Sequence, residues 1–234
     1  MSSDQSRGMT EAMGRMLATL SGKVDTSHTA LVVVDVVKDF CAEGGYLHRE
    51  RGNLRLIHDM LPRLIRFIEK ARAAGVPIIY VQPAYSTENN WYLSDVRLEQ
   101  AMRKRKTRAL IDFPVCTPGS WGASFCDGIE PLPEEVIVNK HRYSGFIGTD
   151  LDLILRSKRI RTLIMCGTTS NGCVYATAAD GFMRDYYIVF LADCSATFDD
   201  RLHRDALEKI DLLFGEVVNA ADVVACWEGT DVNV

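Results

Sequence analysis

The stretch CGTTSNGCVYAT, from Cys166 to Thr177, sets a cysteine behind a run of small residues, where an apolar strand pattern gives way to a helical one. A thiol of ordinary pKa is mostly protonated at neutral pH, but a helix N-terminus and a nearby ammonium both favour the thiolate. Two other residues supply the rest of such chemistry. Asp35 closes the run ALVVVD, where a carboxylate is costly unless it is paired or hydrogen-bonded, and Lys140 closes EVIVNK. A carboxylate can take the thiol proton and return it to a leaving amine. The small residues from Gly167 to Gly172 let backbone N–H groups converge near the sulfur, as an oxyanion formed by attack on a carbonyl requires. Each residue alone also has an ordinary reading: Cys173 as core, Lys140 as a solvated strand end, Asp35 as a turn cap. Acid, base and thiol at one edge of one sheet are harder to explain that way.

The elements that must position them alternate along the chain. Strands are predicted at 30–35, 76–82, 135–140, 161–167, 186–193 and 215–220. Helices are predicted at 54–75 (bent or restarted near Pro62), 95–106, 149–158, 172–185 and 201–214. Strands separated by single helices imply right-handed crossovers, hence an α/β fold of three layers, α/β/α, around a parallel sheet of about six strands. Ligands of such sheets bind outside the carboxyl ends of the strands, where Asp35, Lys140 and the turn before Cys173 fall. Residues 83–132 form an insertion rich in Pro, Gly and Trp, a lid or pocket wall. One domain is expected from 29 to 234, preceded by an arm, 1–28, whose Met9, Met13, Met16, Leu17 and Leu20 make a helical stripe that packs on the body or on a second subunit.

Composition narrows the partners. The 234 residues are 47% hydrophobic and 25% charged, with a net charge of −4 and no apolar run of membrane-spanning length. Neither nucleic acid nor membrane is an expected partner; the basic run RKRKTR, Arg103 to Arg108, reads as a solvated helix face first and as an oligomer contact or steering patch second. The seven cysteines are odd in number and include no C-x-x-C pair, which suggests reduced thiols and a cytoplasmic location. None of the five histidines has metal-ligand spacing to another, and no G-x-G-x-x-G or P-loop pattern follows a strand, so no metal and no cofactor are expected.

Three segments taken together, LVVVDVVKDF, VNKHRYSGFIGTDLDLILRSKRIRTLIMCGTTSNGCVYATAADGF and LADCSAT, resemble the isochorismatase-like cysteine hydrolases over nearly all of residues 29–225. The resemblance implies Asp35 as general base, Lys140 as triad lysine and Cys173 as nucleophile. It also implies a cis peptide between Thr168 and Thr169, with the amides of Thr169 and Cys173 as oxyanion donors. Isochorismatases proper lack the cysteine, so Cys173 points to amide chemistry. The Asp-x-His pair and Trp-His-Pro segment of nicotinamidases are absent, which again implies no metal. GGYL, RYSGF and DLDLILRSKRIRTL look like ureidoacrylate amidohydrolases, and GTTSNGCVYATAADGF like N-carbamoylsarcosine amidases. Both cleave a terminal carbamoyl group, so the expected activity is release of ammonia from a small ureido substrate. The alternatives are hydrolysis of a simple carboxamide, maleamate-like or aromatic, and a non-catalytic binding protein of this fold. Phe40, Trp91, Arg142, Tyr143, Ser144, Phe146 and Asn171 lie in or beside the strand-end loops and are the expected substrate contacts, with Arg142 facing a substrate carboxylate or a surface or subunit ion pair. The family resemblance also implies a homo-oligomer, a dimer or tetramer.

Overall fold

The computed structural model describes residues 3–104, 110–111 and 113–229. In chain order the elements are α1 (Ser3–Gly14), α2 (Leu20–Lys23), β1 (Thr29–Val34), α3 (Lys38–Cys41), α4 (Tyr46–Arg51), α5 (Arg55–Ala73), β2 (Ile78–Pro83), α6 (Asp95–Lys104), β3 (Val136–Lys140), α7 (Leu151–Ser157), β4 (Thr162–Thr168), α8 (Cys173–Phe182), β5 (Tyr187–Ala196), α9 (Asp200–Leu213), β6 (Glu216–Val218) and α10 (Ala220–Trp227).

Every residue of β1 is buried, and its β-branched run divides between two cores. Leu31 and Val33 join one apolar cluster, while Ala30, Val32 and Val34 join the other. A strand buried on both faces demands a helical layer on each side. On one side α5 lays down Ile57, Met60, Leu64, Phe67, Ile68 and Ala71, with Val223 of α10 beside them. On the other, Leu151 and Leu155 of α7, Val174 and Ala178 of α8 and Ile210 of α9 close the second core.

The six-stranded sheet is parallel throughout, in the order β3-β2-β1-β4-β5-β6. The chain builds outward from β1 on one side and then returns to build outward from β4 on the other. The boundary between β1 and β4 is therefore the topological switch point, where loops diverge and leave a crevice. Register brings the carboxyl ends together there: Val34 pairs with Gly167 and with Val81, and Pro83 with Lys140.

Several local expectations change. α5 runs through Pro62 as one element with no restart; its apolar face is buried against the sheet on both sides of the proline, which favours continuity over the single backbone donor that proline lacks. The N-terminal stripe is not one helix. α1 ends at Gly14, Met9, Met13 and Met16 are exposed, and Leu20 alone of the stripe is buried, in the separate turn of α2. The arm is tied to the body by the Leu17 N–H on the Tyr187 hydroxyl and by the Arg161 guanidinium on the Arg15 carbonyl. In the insertion, α6 is described as far as Lys104, and Arg105 to Arg108 of the basic run lie outside the described residues. Among the described residues no helix is long and apolar enough to cross a membrane.

Candidate active site

β1 ends abruptly because Asp35 adopts a left-handed backbone, φ 54°, a region that Asp tolerates better than most residues. Its N–H still bonds to the Val81 carbonyl, and its own carbonyl accepts the Thr168 hydroxyl at 2.6 Å. The turn thereby leaves the carboxylate buried instead of in solvent. Lys140, at the last position of β3, extends its side chain to the same place: Nζ lies 2.9 Å from Asp35 Oδ2, and the two side chains are 0% and 1% exposed.

Cys173 opens α8 directly after the switch-point loop, and its side chain is buried. The Thr168–Thr169 peptide ahead of it is cis. Gly167, at φ 111°, leaves no room for a side chain, since a Cβ would stand 2.1 Å from the Val34 carbonyl oxygen. Small residues here thus let β4 press against β1 and bring the start of α8 over Asp35. The Cys173 thiol lies close enough to the Asp35 carboxylate for each to act on the other's proton affinity, and Tyr85 Oη lies 3.5 Å from its sulfur. The same tyrosine hydroxyl accepts a hydrogen bond from Lys140 Nζ at 2.8 Å, and the Arg142 carbonyl accepts another at 3.0 Å.

The charges of this cluster depend on one another. Burial pushes the Asp35 carboxyl up, with the Lys140 ammonium and the Cys173 thiol pulling only partly against it. Burial pulls the Lys140 ammonium down, but the charges of Asp35 and Cys173 outweigh it and leave the lysine above its ordinary value. Burial and then the Asp35 carboxylate push the Cys173 thiol up to about 12. At rest the thiol is protonated, beside an Asp35–Lys140 pair whose 2.9 Å separation is that of an ion pair. Moving the thiol proton to Asp35 removes the repelling charge and leaves the sulfur facing the ammonium, so the carboxylate is the only acceptor in the cluster whose protonation helps the thiolate.

A cavity of about 240 Å³ opens onto the sulfur. Of the residues expected to touch a substrate, Phe40, Tyr143 and Asn171 line it, together with Thr169 and Cys173. The Asn171 Oδ1 is buried with no hydrogen-bond partner among the described residues. The other four expected contacts are not among the residues lining this cavity. Trp91 is 82% exposed. Arg142 turns its guanidinium to the carbonyls of Tyr92 and His141, satisfying it away from the cavity. Ser144 bonds to the Phe146 N–H, and Phe146 is a core residue stacked on Tyr186.

Sequence reasoning missed Tyr85, Arg51, Arg97 and Gln100, which also line the cavity. Tyr85 stands just past the carboxyl end of β2, so the strand-end rule that selected Asp35 and Lys140 would have found it. Arg97 and Gln100 come from α6 in the insertion, where pattern gave no orientation. The Arg97 guanidinium lies 4.5 Å from the Tyr85 ring centre and that of Arg51 4.4 Å from the Phe198 ring centre. Among the described residues no carboxylate pairs with either.

Comparison with known proteins agrees with this architecture. The chain is 32% identical to the ureidoacrylate amidohydrolase RutB of Methylobacterium radiotolerans, over 93% of its own length and 89% of that protein's. Among solved structures it is similar to a cysteine hydrolase from Pseudomonas syringae pv. phaseolicola 1448A, with a TM-score of 0.75 and 27% identity over 88% of this chain and 95% of that one. It is also similar to the N-carbamoylsarcosine amidase of Thermoplasma acidophilum, with a TM-score of 0.65 and 27% identity over 82% and 96% of the two chains. The Isochorismatase domain profile matches residues 29–222, the whole sheet from β1 to β6 with its crossover helices, and on that match the chain belongs to the isochorismatase-like hydrolase family.

Proposed function

We propose that the chain is a cysteine amidohydrolase that releases ammonia from a small ureido acid. The observation that carries the reading is the buried Asp35–Lys140 ion pair, linked through the Tyr85 hydroxyl to Cys173, whose side chain lines a cavity sized for a small molecule. Support for the ureido group comes from the relatives named ureidoacrylate amidohydrolase and N-carbamoylsarcosine amidase. Support for an acid comes from the Arg97 and Arg51 guanidiniums on the cavity wall. The unpartnered Asn171 Oδ1 is an acceptor suited to a carbamoyl N–H.

In this reading Asp35 takes the proton of Cys173 and the thiolate adds to the carbamoyl carbon. The backbone N–H groups of Thr169 and Cys173 hold the oxyanion. The tetrahedral intermediate collapses as the C–N bond breaks, and Asp35 passes its proton to the departing nitrogen, which leaves as ammonia. Asp35 then takes a proton from water, whose oxygen attacks the thiocarbamate; the C–S bond breaks and the proton returns to the sulfur. The carbamate product falls apart to carbon dioxide and an amine. Lys140 keeps the carboxylate oriented and balances the negative charge whether it stands on Asp35 or on the sulfur.

The test is ammonia release from two panels, ureido acids and plain carboxamides, by the native chain and by Cys173→Ala, with and without a chelator. Release from ureido acids that is lost in the variant and indifferent to the chelator is expected. Release from plain carboxamides alone overturns the substrate class and keeps the nucleophile; release that survives in Cys173→Ala overturns the mechanism.

A further inference from the structure

Tyr85 is buried beside the reacting sulfur, and the steps just described give it no task. Its hydrogen bonding can be worked out by counting protons. An ammonium carries only N–H donors and no acceptor, and Lys140, ion-paired with Asp35 Oδ2 at 2.9 Å, donates to Tyr85 Oη at 2.8 Å and to the Arg142 carbonyl at 3.0 Å. Toward Lys140, then, the tyrosine oxygen can only accept. Its one proton is left to be donated, and the Cys173 sulfur stands 3.5 Å away to receive it.

We propose that Tyr85 is a further catalytic residue, whose hydroxyl donates a hydrogen bond to the Cys173 sulfur and holds it as the thiolate forms. A thiol sulfur is a weak acceptor and a thiolate a strong one, so this bond strengthens as the proton passes to Asp35. An interaction that is stronger in the charged state lowers the barrier to reaching it. The tyrosine gives up no proton of its own: burial first, and the charges of Cys173 and Asp35 after it, hold the phenol well above its ordinary range. Lys140, by donating to the same oxygen, polarises the O–H toward the sulfur. The charged or titratable groups around the pair are Asp35 from β1, Lys140 from β3, Arg97 from α6 and Cys116 from the insertion. Arg97 lies on the face of the ring and Phe40 meets it edge-on, so the ring is held by contacts that do not involve the hydroxyl.

The inference rests on Cys173 being the nucleophile, and its test separates the two. The rate of alkylation of each cysteine by iodoacetamide is followed by peptide mass spectrometry across a range of pH. Native chain, Tyr85→Phe and a chain with a fluorinated tyrosine at position 85 are compared. Phenylalanine keeps the ring and its contacts; fluorination makes the phenol a stronger donor. Alkylation of Cys173 is expected to slow about tenfold in Tyr85→Phe and to quicken with fluorotyrosine, while the other cysteines do not change. Equal or faster alkylation in Tyr85→Phe overturns the role of Tyr85 alone. A native Cys173 no more reactive than the other buried cysteines overturns both readings. If Tyr85→Phe does not fold, the fluorotyrosine chain decides: no gain in rate overturns the proposal.

Discussion

The Asp35 carboxylate and the Lys140 ammonium form an ion pair that water does not reach, 2.9 Å apart, at the ends of two strands separated by β2. Such a pair adds little net stability, because desolvating both charges offsets their attraction, yet losing one partner strands the other in a medium that cannot solvate it. Asp35→Asn and Lys140→Met are each expected to destabilise the fold by about 3–5 kcal/mol. The double variant should recover most of that loss while remaining inactive. Chemical denaturation of the four chains checks this; a double variant as unstable as the sum of the singles contradicts it.

Arg97 and Arg142 divide what the sequence assigned to one arginine. Arg142 is occupied by the carbonyls of Tyr92 and His141, whereas Arg97 stands on the cavity wall with only aromatic faces as described contacts. A charge-assisted bond to a substrate carboxylate is worth roughly 1.5–3 kcal/mol. Arg97→Gln should therefore raise KM for a ureido acid by about tenfold or more and leave an uncharged ureido compound little affected. Arg142→Gln should change neither by more than about threefold. Steady-state kinetics on the two substrates distinguish them, and a similar KM rise for both substrates in Arg97→Gln removes Arg97 as the carboxylate contact.

Which of these features the sequence disclosed follows from the range of the forces involved. The strands were legible because β1, β2, β4 and β5 are buried on both faces and must be continuous apolar runs. Asp35, Lys140 and the turn before Cys173 were legible because they interrupt or end those runs. The short helices α3 and α4 were not, being fixed by tertiary bonds: the Asp39 carboxylate accepts the N–H groups of Tyr46 and Cys116, residues far apart in the chain. Tyr85 was within reach of the same strand-end rule, whereas Arg97 acquires meaning only when α6 brings it to the cavity, which no periodicity encodes. Trp91 misled because a place beside the strand-end loops does not fix where a side chain turns; here it is 82% exposed.

Gly167 and Gly148 offer a matched test of how tightly the switch point is packed. Both have positive φ, 111° and 68°, but a Cβ at Gly167 would collide with Val34 backbone atoms and one at Gly148 would meet nothing within 4 Å. Gly148→Ala should cost only the left-handed strain, about 1–2 kcal/mol, with activity retained. Gly167→Ala should cost more, about 3 kcal/mol, by forcing β4 away from β1. Because β1 leads directly into Asp35 and β4 leads through its loop into Cys173, the activity of Gly167→Ala should fall by a further order of magnitude even at temperatures where it remains folded. Equal stability and activity in the two variants would show that the β1–β4 contact is slack.

Glu135 stands at the amino end of β3, opposite the site, and so tests stability apart from catalysis. Its carboxylate takes a two-point contact from Arg72 of α5, Nε to Oε1 at 2.8 Å and Nη2 to Oε2 at 2.9 Å, and a third bond from the Leu132 N–H. Burial pushes this carboxyl up, but the Arg72 bond, the Leu132 N–H and the Arg72 charge outweigh it and leave the pKa below its ordinary value of 4.5. A lowered folded-state pKa means that the folded chain binds the proton less readily than the unfolded one. The stabilisation is therefore fully present above about pH 4.5 and fades as the pH falls through the folded value. Glu135→Gln should cost roughly 1 kcal/mol at neutral pH and nearly nothing at pH values where the native carboxyl is protonated, with kcat unchanged throughout the folded range. Urea midpoints of both chains, measured from neutral to acid pH, should converge on acidification; curves that stay parallel would assign the acid sensitivity to other carboxylates.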